Sequence, residues 1–141
     1  MLDEHEQTKL LAMGEGGCYL LVLKKIAELD TAWRLDPVVV YNEAIRRGFM
    51  REDCWLLDSA SLLDFLTSKK CTKVAVAIGN TLPVGSKYVV AEFARRTPKG
   101  EITHWVLLNS QLEIWYNPLA YSETVKHGII KSLRVFLLED K

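Results

Sequence analysis

Cysteine is scarce in this chain: Cys18, Cys54 and Cys71 are the only three, at unrelated spacings and with no CxxC pair. That argues against a disulfide framework or a zinc cage, and no metal or other cofactor is expected. No apolar run approaches the roughly 20 residues needed to span a bilayer, so no membrane partner is expected. Neither sign of charge is in excess: 18 basic and 18 acidic residues cancel. No Lys/Arg run exceeds a pair such as Lys24-Lys25 or Arg95-Arg96. A nucleic-acid binder needs a concentrated basic face, so no nucleic-acid partner is expected either. Linkers, repeats and low-complexity stretches are missing. The acidic start, Met1-Leu2-Asp3-Glu4-His5-Glu6, is unlike the basic start of a secretory signal, which favours a cytoplasmic protein with reduced thiols.

What the chain does have is an ordinary globular composition, 49% apolar and 26% charged over 141 residues. That suits one domain, residues 1–141, large enough to bury a core. The first half reads as helices. A polar helix is expected from Leu2 to Met13, broken by Gly14 to Gly17. Cys18 to Leu29 (CYLLVLKKIAEL) is apolar on all sides in its first turns, which predicts a buried helix. Asp36-Pro37 is an N-cap followed by a proline at the first helical position, opening a helix that ends near Gly48. Ser59 is expected to cap a short helix, Ala60 to Leu66.

From Cys71 onward the pattern turns to strands: Lys73–Ile78, Lys87–Ala94, Ile102–Leu108, Leu112–Tyr116 and Ser132–Leu138. Helices followed by strands predict an α+β fold with a C-terminal antiparallel sheet.

Three residues carry the chemistry. Cys18 follows Gly16-Gly17 and opens a helix, where the positive end of the macrodipole favours a thiolate and a depressed thiol pKa. The glycines allow close approach of a substrate backbone. His104, in the strand pattern ITHWVLL, is a candidate general base. With Ser110-Gln111 as the two-residue turn, Asn117 falls opposite His104 on the same face and can hold the ring in the required tautomer. Asn109-Ser110 is an equally good turn and puts Trp115 opposite His104 instead. Asn117-Pro118 is also a turn signal in its own right.

The segments GEGGCYLLVL, THWVLL and WYNP, spread from Gly16 to about Phe136, resemble the papain-like cysteine peptidase superfamily. The resemblance is nearest to small bacterial double-glycine-type leader peptidases and to small phage-associated domains with the same GCY start. It implies a papain-like fold with Cys18 as nucleophile, His104 as base and Asn117 as orienter. It also implies a peptide or protein substrate. Two departures stand out. Ala12 occupies the place where those families carry an oxyanion-hole glutamine, with Gln7 the nearest glutamine, and bulky Tyr19 follows the cysteine. Both favour the alternative of a degenerate, purely binding module on the same scaffold. A thiol acyltransferase would use the same triad.

Other residues invite blander readings. Cys54-Trp55 echoes a papain-type pair, but the acids of Arg51-Glu52-Asp53 would raise its thiol pKa. Cys71 reads as packing and His127-Gly128 as a turn. Asp30, Asp36 and Asp58 read as caps or turn acids. Trp33, Trp55, Trp105 and Trp115 read mostly as core, with Trp105 and Trp115 placed to wall a substrate cleft.

Overall fold

The structure, a computed structural model, describes residues 17–119 and 123–141. The expected helix Leu2–Met13, Ala12, Gln7 and Gly16 lie outside the described residues.

Helix α1 spans Cys18–Thr31, and its all-round apolar start is buried as expected: Cys18, Tyr19, Leu20, Val22 and Leu23 are covered. It stops where Ala32 turns left-handed (φ 61°) and its N–H returns to the Glu28 carbonyl. Helix α2, Pro37–Arg46, begins as the sequence predicts, with the Asp36 carboxylate accepting from the Val38 and Val39 N–H groups. Helix α3, Ser59–Thr67, starts one residue earlier than expected. Its cap is Asp58, whose carboxylate takes both the N–H and the hydroxyl of Ser61. An acceptor-only side chain next to free N–H groups leaves Ser59 to enter the helix.

The strands are β1 (Lys70–Val76), β2 (Tyr88–Thr97), β3 (Gly100–Leu108), β4 (Ile114–Tyr116) and β5 (Ile129–Glu139). They form one five-stranded sheet in the order β1-β5-β2-β3-β4, every neighbouring pair antiparallel. Both faces of the sheet are covered. Tyr88, Val90, Leu107 and Phe136 pack with Leu20, Leu23 and Ile26 of α1. Val89, Ala91, Val106, Leu108, Leu133 and Val135 form a second cluster on the opposite face, joined by Leu82 and Val125. Burial on both faces explains why these strands read as continuous apolar runs rather than strict alternations.

Two expectations are corrected here. The segment before β5 is not a bare turn: Glu123–His127 forms a short helix, α4. Gly128 closes it, donating its N–H to the Thr124 carbonyl at 2.9 Å. A Cβ on Gly128 would stand against the carbonyl oxygens of Thr124 and Ala94. Gly128→Ala is therefore expected to cost about 2 kcal/mol, read as a lower urea midpoint with an unchanged slope. The tryptophans are the second correction: Trp33, Trp55 and Trp115 are 74%, 64% and 41% exposed. They follow a helix end, sit in a loop and lie on a three-residue edge strand, so their surroundings cannot close over an indole. Among the described residues no helix is long and apolar enough to cross a membrane.

Candidate active site

Cys18 is the first residue of α1, with Gly17 as a buried N-cap. The residue is 7% exposed. Burial pushes its thiol pKa up, against a smaller opposing effect from its own backbone N–H. The expected depression is thus reversed, because desolvation of a thiolate outweighs the stabilisation a helix terminus provides. Cys54 is pushed up to about 11 by burial, then by Asp53 and Cys18, and Cys71 to about 11, chiefly by burial.

His104 lies on β3 and is 3% exposed. Its strand partner is Phe93, and its side chain shares the sheet face of Val106 and Leu108. The ring Nε2–H donates to Asn117 Oδ1 at 2.6 Å. The amide oxygen can only accept, which fixes the tautomer and leaves Nδ1 as the acceptor nitrogen. The same oxygen takes the Leu119 N–H at 3.1 Å, closing a turn around Pro118. Asn117 therefore combines the two roles the sequence offered it, ring partner and turn former.

Neither expected register produces this contact. The β3–β4 turn is longer: Asn109 N–H bonds to the Glu113 carbonyl, and Asn109 Oδ1 accepts from Gln111 and Glu113. Leu107 pairs with Tyr116 and Leu108 with Ile114, a bulged register. Asn117 sits just past the last pair and meets His104 as the chain leaves the strand. The irregular register also turns Trp115 onto Tyr88, ring centroids 5.9 Å apart, and away from the cleft it was expected to wall. The hydroxyl of Tyr88 donates to Asp30, which is ion-paired with Lys69, so Asp30 anchors this end of α1.

The structure thus joins His104 to Asn117, but on the sheet face opposite the one α1 covers, so the expected triad with Cys18 is not assembled: alternation along β3 sends Trp105, not His104, toward α1. Among the described residues no hydrogen bond joins Cys18 to His104. What links β3 to the first turn of α1 is the next residue along: Trp105, pointing to the opposite face, stacks on Tyr19 with centroids 4.2 Å apart and planes 13° from parallel. The Arg134 guanidinium lies over both rings, 4.5 Å from the Trp105 centroid and 5.5 Å from that of Tyr19.

This stack forms the floor of a cleft of about 470 Å³ lined by Tyr19, residues 54–56, Glu92, Thr103, Trp105 and Arg134. Its rim is a pinned loop. Met50 bridges to Leu56, and the Tyr41 hydroxyl donates to the Glu52 carbonyl at 2.6 Å. Cys54 is held there at φ 68°, an unusual conformation for a residue with a Cβ. Trp105 is the predicted substrate-binding residue that reaches the cleft. Sequence reasoning missed Tyr19, Glu92 and Arg134; the signal it passed over was an arginine inside the apolar strand run SLRVFLL. His127 instead pairs with Glu123 along α4 at 3.1 Å. Among the described residues no group of three His, Cys, Asp or Glu side chains is placed to hold a metal ion.

The chain belongs to the family described as a protein of unknown function, DUF261, whose model matches residues 1–138. No curated protein and no solved structure shows a significant match.

Proposed function

We propose that this DUF261 domain is a non-catalytic binding module, its cleft floored by Tyr19 and Trp105 taking a peptide or protein partner. The observation that carries the reading is the placement of His104. Its ring is bonded to Asn117 at 2.6 Å on the sheet face opposite the one α1 covers, so the sheet stands between the imidazole and the Cys18 thiol. A thiol with no base beside it among the described residues, its pKa pushed up by burial, is a poor nucleophile.

Cys18→Ala is expected to bind a peptide partner like wild type and Trp105→Ala to bind about tenfold more weakly. A panel of electrophiles read by peptide mass spectrometry tests the alternative, a papain-like cysteine hydrolase cleaving a peptide or isopeptide bond through Cys18. Labelling of Cys18 well ahead of Cys54 and Cys71 near pH 7, slowed about a hundredfold by His104→Ala, would overturn the binding reading in favour of that enzyme.

A further inference from the structure

Arg134 is an unusual resident of this cleft. The residue is half-buried, its guanidinium over Trp105 and Tyr19. Among the described residues only two of its five N–H groups have partners, both neutral hydroxyls: Tyr19 at 3.4 Å and Ser132 at 3.2 Å. Among the described residues no carboxylate lies within ion-pair distance of it. Glu92 also lines the cleft, but it accepts from the Ser132 hydroxyl at 3.0 Å, and that hydroxyl stands between the two charges. A planar donor fork, preset by lying over two rings and given no anion by the described residues, matches the geometry of a carboxylate. Next to it Trp55, 64% exposed at the mouth, offers an indole with room for an apolar neighbour.

We infer that the cleft recognises a peptide carboxylate carried beside an aromatic side chain, with Arg134 as its anchor. The inference rests on the binding reading in taking this cleft as the ligand site. The carboxylate has two chemical sources, a chain end and an acidic side chain, and Arg134 serves both with the same fork.

Three peptides separate the possibilities when titrated into the 15N-labelled full chain carrying Cys18→Ala, with the four indole N–H resonances as reporters: acetyl-Gly-Phe with a free carboxylate, acetyl-Gly-Phe-amide, and acetyl-Glu-Phe-amide. At least one acid should bind about tenfold more tightly than the neutral amide, the effect of a charge-assisted bidentate contact. Trp55 and Trp105 should shift while Trp33 and Trp115 stay still. The free-carboxylate arm leading identifies a chain end; the glutamate arm leading identifies an acidic side chain. Arg134→Gln should erase the preference while the neutral peptide binds as before. Arg134→Lys, which keeps the charge but not the fork, should retain only part of it and covers the case of a poorly folded Gln variant.

Equal affinity for all three peptides, a preference that survives Arg134→Gln, or shifts confined to Trp33 and Trp115 would overturn the inference. Electrophile labelling of Cys18 in the wild type runs separately. Binding without acid preference removes the ligand class alone, and a Cys18 that labels fast and slows in His104→Ala removes the non-catalytic reading alone.

Discussion

At pH 7.5, Cys54 and Cys71 of the folded protein are expected to react with iodoacetamide at least about a hundredfold more slowly than in the urea-unfolded chain. The thiolate is the reactive species. Moving a thiol from 9.0 to about 11 removes roughly ninety-nine parts in a hundred of the thiolate present near neutrality. Steric cover adds to this at Cys54, which is buried. Rates that match the unfolded chain would show that the folded protein does not protect these thiols.

The same groups give stability a pH dependence of definite sign. The unfolded chain releases these protons near 9.0 and the folded chain only near 11. The folded state then holds more protons than the unfolded one, so stability is full below pH 9 and falls as pH rises toward 11. At Cys54 the loss amounts to at most about 2.7 kcal/mol. Thermal midpoints across that range read it directly.

His104→Ala is expected to lower unfolding stability by about 3 kcal/mol. The substitution opens a cavity beneath Phe93 and Val106 and frees the Asn117 amide oxygen from its ring partner. Asn117→Ala should cost less, about 1–2 kcal/mol. It strips a buried ring N–H of its acceptor and also releases the Leu119 N–H. Asn117→Asp keeps an acceptor for both donors and should stay within about 1 kcal/mol of wild type. Urea midpoints at constant slope decide the order. Parity of His104→Ala with wild type would show that the imidazole is not packed as described.

The fold was largely readable because its signals are local. Asp36-Pro37 must cap, an all-apolar helix start must be buried, and strand-rich segments must find a sheet. The His104–Asn117 contact was read correctly from a wrong register. Counting residues around a two-residue turn cannot foresee that Asn109 spends its side chain on Gln111 and Glu113 and so lengthens the turn. The Cys18 pKa was misjudged for a related reason. A helix terminus can be seen in sequence, but the depth of burial that opposes it depends on what the rest of the chain lays over it. Arg134 and Tyr19 lie 115 positions apart, and no local pattern announces that they share a cleft.

The position of β5 between β1 and β2 governs how the molecule can assemble. β2 and β3 are joined by a tight turn at residues 97–100 and can zip together from neighbouring residues. Among the described residues β1 pairs only with β5, matching Lys70 to Glu139 and Val76 to Leu133, so its ladder closes a loop of more than half a hundred residues. The entropy of closing that loop is lost before any β1 hydrogen bond returns it. A hairpin of β2 and β3 is therefore the natural seed, β5 the strand that must dock on it, and β1 the last to join. Until β5 arrives, β1 and the outer edge of β2 are sticky, unpaired ribbons, and a slow step there leaves the chain open to association with its own copies.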